Sequence, residues 1–219
     1  MSRVLFLLLL AAHVLNVESQ VNYCIAERRK SPALAYESDE LLALTAYVGQ
    51  QSRGLPMSVK LGVAAGPVYA QGHSLYSQRM GQLNLDCAHC HQANWGRQLL
   101  TDTISLGHGT GYPAYRFEWQ KIGSLQRRLR ACYFGVRAEM PDYGSPDLLA
   151  LELYLAVRAS GLALEVPGVR KQDEFRWARR ARRWFHSPPY PPARRAIGHF
   201  LPSQNANSAS EPHSHRQSA

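Results

Sequence analysis

Four cysteines, a histidine beside one of them and a methionine hold most of the reactive chemistry that this 219-residue chain offers. In "LNLDCAHCHQANWG", Cys87, Cys90 and His91 spell C-x-x-C-H. Two thiols at this spacing can form thioethers with the two vinyl groups of one haem, and the histidine that follows then faces the iron. A redox dithiol would want a strand before it and has no use for His91, and a zinc site would want a second paired set of ligands, which the chain lacks. The motif therefore predicts one covalently bound haem c with His91 as an axial ligand. Covalent haem attachment takes place outside the cytoplasm, so the motif also predicts a periplasmic location. His89, inside the motif, is expected at the surface. His73 and His108, the latter in the glycine-rich "SLGHGTGYP", are weaker candidates for the second axial position.

Two sulfurs in "QRRLRACYFGVRAEMPDY" compete for that position. Met140 is followed by Pro141 and a leucine-rich segment, as a methionine ligand would be at the end of a small class I cytochrome c, and it would make the protein a plain electron carrier. Cys132 would give a thiolate ligand. If "GSLQRRLRACYF" is helical, Arg128 lies one turn before Cys132 on the same face, with Arg127 and Arg130 nearby. Positive charge favours the deprotonated thiol and attracts a small anion.

The elements that must position these residues are partly duplicated. "YESDELLALTAYV" from Tyr36 and "YGSPDLLALELYLAV" from Tyr143 match at Tyr, Ser, the Leu-Leu-Ala-Leu run and a second Tyr, with an offset of 143 − 36 = 107 residues. Ser38 and Ser145 are placed to cap helices with acids in the first turn, and the apolar residues that follow have helical spacing. Upstream, Cys24 precedes the first copy at nearly the distance by which Cys132 precedes the second, and Arg29 and Arg137 each follow their cysteine by five residues. This predicts a duplicated domain whose first copy lacks a C-x-x-C-H. It also weighs for Cys132 against Met140, because the first copy keeps the cysteine and has Ala33 where the methionine would be.

A hydrophobic fraction of 45% suits a folded chain of one medium or two small domains. The net charge of +9 favours anionic partners, yet much of the excess sits in the Arg- and Pro-rich segment after Arg170, which carries no sustained apolar period and no nucleic-acid-binding module. Residues 171–219 are expected to form a disordered basic tail, and no nucleic-acid partner is expected. Residues 1–20 contain one early Arg and an apolar run from Val4 to Val14. That run is too short to span a bilayer and fits a secretory signal or an irregular start. No membrane span is expected in the mature protein.

Three blocks, "GQLNLDCAHCHQANWGRQL", "TISLGHGTGYPAYRFEWQKIGSLQRRLRACYFGVRAE" and "YGSPDLLALELYLAVRASGL", together resemble the SoxA family, the catalytic subunits of the SoxAX cytochromes of bacterial thiosulfate oxidation. The resemblance runs from about Val21 to about Arg170. It implies an L-cysteine S-thiosulfotransferase that couples thiosulfate oxidatively to a cysteine of the carrier SoxYZ and passes electrons to the cytochrome subunit SoxX. It implies that Cys132 is both the iron's thiolate ligand and the active sulfur, carried as a persulfide, and that Arg128 binds the substrate. Two-haem relatives carry a first C-x-x-C-H that is absent here, and Cys24 matches the sulfur of that first domain. The expected fold is mainly α: an incomplete first cytochrome c-like domain over 21–65 and a haem-binding cytochrome c domain over 66–170, with short strands or none.

Overall fold

The computed structural model describes residues 14–99 and 102–170, which lie in one compact unit. The expected tail over 171–219 and most of the expected amino-terminal segment fall outside the described residues. Helix α1 spans Val17–Arg29, so it begins inside the segment assigned above to a signal or irregular start. The Asn16 side chain caps it by accepting from the Ser19 amide at 2.9 Å, and Lys30 ends it in the left-handed region at φ 52°. Helix α2, Asp39–Gln50, is capped by Ser38, whose hydroxyl accepts from the Leu41 amide at 3.2 Å. Helix α3 spans Gly66–Ser77 and carries a proline in its first turn, where the missing N–H costs nothing. Helix α4, Leu125–Gly135, is capped by Ser124, and helix α5, Pro146–Arg158, by Ser145. The two expected serine caps are thus in place.

The repeat pairs α1 with α4 and α2 with α5. Cys24 and Cys132 each lie eight residues after the capping residue of their helix (24 − 16 and 132 − 124). Between the paired helices the backbone repeats as well: Glu37 at φ 63° and Gly144 at φ 74° both take the left-handed conformation just before the serine cap. Only the second copy uses glycine there, so Glu37 accepts a strained backbone that glycine would adopt freely.

Packing breaks the symmetry. The core gathers Tyr76 of α3, Leu129 and Tyr133 of α4, and Leu148, Leu151, Tyr154 and Leu155 of α5. Full burial of each such aliphatic side chain contributes roughly 1.5–3 kcal/mol. Helix α3 crosses α5 at Gly72, where a Cβ would run into the Ala150 carbonyl. At the crossing Tyr154 meets Tyr69 and Tyr76, with ring centroids 5.5 and 5.0 Å from its own. Tyr154 is therefore 6% exposed, whereas its repeat equivalent Tyr47 on α2 is 67% exposed.

The strands are short. β1 (Gln98–Leu99) pairs antiparallel with β2 (Asp102–Thr103). β3 (Ala114–Arg116) forms the middle of a three-stranded sheet, antiparallel to β4 (Lys121–Gly123) and parallel to β5 (Gly168–Arg170). The β3–β4 hairpin leads directly into α4 and holds its amino-terminal half. No helix among the described residues is long and apolar enough to cross a membrane.

Candidate haem and sulfur site

Residues His89–Ala93 form a widened helical turn that opens the chain after Cys87 and brings His91 around toward the core. Cys87 packs against the cluster formed by α3, α4 and α5. The His91 Nδ1 lies 2.8 Å from the Ser105 carbonyl oxygen. A carbonyl can only accept, so Nδ1 donates to it and Nε2 is the ring nitrogen left to face the sulfur or a metal. Gly107 allows the following loop to lie on the ring, since a Cβ there would sit 2.9 Å from His91 Cγ.

Helix α4 delivers Cys132 to the same place. Its half-buried thiol hydrogen-bonds to His91 and feels the charges of Arg128 and Arg116. Burial pushes this thiol up, but the His91 hydrogen bond and the two guanidinium groups outweigh it and bring it below the ordinary cysteine value. The neighbouring thiols move the other way. Burial and the nearby Cys132 push Cys87 up to about 12 and raise Cys90 as well. Of the three thiols gathered here, Cys132 is the one poised to be a thiolate.

The neighbours anticipated for Cys132 divide. Arg128 acts on it. Arg127 turns away to Glu37, 3.4 Å from its Oε2, and lies over the Trp119 ring at 4.8 Å. Arg130 donates to the Pro141 carbonyl and lies over Tyr143 at 4.5 Å. Met140 is on the coil after α4 with 41% of its surface exposed. The fold thus gathers Cys87, Cys90, His91, Cys132 and Arg128 and leaves Met140 at the surface. His89 is exposed, as expected, and its backbone amide donates to Asp86. His73 stands edge-on to Tyr154 at 5.3 Å, within the α3–α5 crossing. His108 is near His91, and burial with the Arg158 and His91 charges lowers it to about 4.

Arg116 and its partners Tyr112 and Glu118 were not singled out by the sequence reading. Arg116 is 8% exposed and donates through Nε and Nη2 to both Glu118 oxygens at 2.7 and 3.1 Å, and through Nη1 to Tyr112 Oη at 3.1 Å. No local signal in the sequence marks the pair, because β3 ends at Arg116 and Glu118 lies in the turn that follows.

The donor set fits a haem of the c type. Two thiols at thioether spacing precede an imidazole held through Nδ1, a second sulfur faces that imidazole, and Tyr76 Oη and His108 Nδ1 are buried without a hydrogen-bond partner among the described residues. Profile comparison matches residues 10–57 to the family described as "SoxA/TsdA, cytochrome c domain", a segment that contains Cys24 and α2. The "L-cysteine S-thiosulfotransferase subunit SoxA" of Pseudaminobacter salicylatoxidans is 37% identical over 164 residues, 74% of this chain and 57% of the relative. Its namesake from Allochromatium vinosum is 37% identical over 166 residues, 72% of this chain and 58% of the relative. Over the matched span the chain is similar to SoxA sequences. The crystal structure of SoxXA from P. pantotrophus agrees, with a TM-score of 0.70 at 34% identity over 73% of this chain and 63% of that one. The fold is accordingly cytochrome c-like, with haem c as the cofactor of its class. The chain spans little more than half the length of these SoxA relatives.

Proposed function

We propose that this chain is the catalytic subunit of a periplasmic L-cysteine S-thiosulfotransferase, coupling thiosulfate to a cysteine of a carrier protein of the SoxYZ kind. The carrying observation is the convergence of His91, Cys132 and Arg128, in which the Cys132 thiol is held below its ordinary value by charge and hydrogen bonding despite burial. Cys87 and Cys90 would attach one haem covalently, and His91 Nε2 and the Cys132 sulfur would hold its iron. When bound, the haem supplies a one-electron acceptor beside the reactive sulfur.

The chain's own residues account for the remaining chemistry. Arg128 binds the sulfonate end of thiosulfate by charge-assisted hydrogen bonds, which leaves the terminal sulfur directed at Cys132. Cys132, as thiolate or persulfide, exchanges through a mixed disulfide. The net reaction joins thiosulfate and a carrier thiol into a cysteine S-thiosulfonate and releases one proton and two electrons. A single haem iron takes one of these electrons at a time, so an electron-accepting partner is required. The similarity to a SoxXA structure supports a SoxX-type cytochrome in that role.

The test is mass mapping of the Cys132 peptide from the exported, haem-loaded protein, alongside thiosulfate coupling by the Cys132→Ala variant. An added sulfur atom on Cys132 and loss of coupling in the variant are expected. An unmodified Cys132 whose removal leaves coupling intact would overturn the reading.

A further inference from the structure

Arg128 and Arg116 both bear on Cys132, yet their hydrogen-bonding states differ. Arg116 is buried, with three of its guanidinium nitrogens committed to Glu118 and Tyr112 and its Cζ 5.3 Å from the Trp119 ring centre. Burial works against its charge, and the Glu118 and Tyr112 bonds outweigh that, so it stays cationic. Arg128 makes a looser ion pair: its Nη1 is 4.0 Å from Glu118 Oε1, with about a third of either side chain exposed. One carboxylate, on the hairpin between β3 and β4, therefore bridges a buried arginine of the sheet and a partly exposed arginine of α4.

We propose that Glu118 is a positioning residue for the substrate: anchored by Arg116, it holds the Arg128 guanidinium over Cys132 so that an incoming small dianion meets an oriented cation. This rests on the reading of Arg128 as the thiosulfate-binding group. The bidentate Arg116–Glu118 pair fixes the carboxylate on the hairpin. The long Arg128–Glu118 separation is too weak to compete with a dianion, so Arg128 can turn to the substrate without unseating Glu118. Arg116, with its donors used, contributes field and anchorage and makes no contact with the substrate.

The experiment is calorimetric titration of thiosulfate into the haem-loaded chain, followed by coupling kinetics, for wild type, Glu118→Gln, Arg128→Gln and the double variant. Glu118→Gln is expected to raise Kd and KM for thiosulfate about tenfold with kcat little changed, the size of a coupled pair. In the Arg128→Gln background it is expected to add nothing. Because Glu118→Gln strands the buried Arg116 charge, Arg116→Gln/Glu118→Gln provides a second test with no orphaned charge, and it should show the same loss. Glu118→Asp, which keeps the carboxylate, should recover part of the affinity. Wild-type affinity in both Glu118→Gln and the Arg116/Glu118 pair would overturn the proposal, as would an equal loss with and without Arg128. An unchanged Kd for Arg128→Gln would instead remove the assignment of Arg128 itself, and the proposal with it.

Discussion

Tyr36 and Tyr143, equivalent residues of the two repeat copies, stack on each other with ring centroids 5.7 Å apart and planes 14° from parallel. The duplication is thus joined at its own matching point. Arg130 covers the outer part of this stack at 4.5 Å from Tyr143, and a Cβ on Gly144 would sit 3.3 Å from the Tyr36 ring. Aromatic pairs of this geometry contribute about 0.5–1.5 kcal/mol beyond their burial. The coupling energy from a Tyr36→Leu and Tyr143→Leu double-mutant cycle, read by denaturant unfolding, should therefore be about 1 kcal/mol. Strictly additive effects would mean the rings are adjacent without interacting.

Beside that stack the two copies bury carboxyl groups. Glu152 of α5 accepts from Asn16 Nδ2 at 2.8 Å and from Gln126 Nε2 at 3.2 Å, with the buried Glu18 of α1 close enough to raise it further. Burial first, and then Glu18, push Glu152 from its ordinary value near 4.5 up to about 8. A raised carboxyl binds its proton more tightly in the folded state. Its contribution to stability is thus fully present below pH 4.5 and lost as pH rises through about 8. Melting temperature should fall between about pH 4.5 and pH 8, and Glu152→Gln, which needs no proton to stay neutral, should flatten that fall. Parallel pH profiles for the two proteins would show that Glu152 does not titrate in this range.

How much of this could be read in the sequence differs by kind of signal. The C-x-x-C-H was legible because covalent attachment fixes both residue types and spacing. The helices after Ser38 and Ser145 were legible because capping and apolar period are local. Strands of two or three residues carry no period, so the sheet that places Arg116 could not be read. The Asn16–Glu152–Gln126 bonds join residues 136 and 26 positions apart, and buried polar partners leave no pattern along the chain. The competition between Cys132 and Met140 was posed by the sequence, while the loop that turns Met140 outward is a matter of tertiary packing.

The crossing of α3 and α5 depends on one missing side chain. Gly72 lets the helix backbones meet at Ala150, and even a methyl group would sit 2.6 Å from the Ala150 carbonyl carbon and 2.9 Å from Tyr154 Cβ. These are backbone and Cβ atoms, which cannot swing aside. Gly72→Ala should therefore destabilise by about 1–3 kcal/mol or more despite the better helix propensity of alanine, because overpacking strains both helices. A lower denaturation midpoint at unchanged m-value would show it. A stabilised variant would mean the helices can part without cost.

The sulfur proposed to hold the iron is the most informative one to substitute. Cys132 sits beside His91, with Arg128 and Arg116 holding its thiol low, whereas Met140 is at the surface. Met140→Leu should leave the optical spectrum and the reduction potential of the haem-loaded protein within error of wild type. Cys132→Ala should change both, with the potential rising, because a thiolate donates negative charge to the iron and its loss favours the reduced form. Thiosulfate coupling should follow the same division, surviving the methionine substitution and failing with the cysteine. The opposite pattern, a spectrum altered by Met140→Leu and unmoved by Cys132→Ala, would mean that the coil after α4 folds inward around the haem and would make the chain an electron carrier.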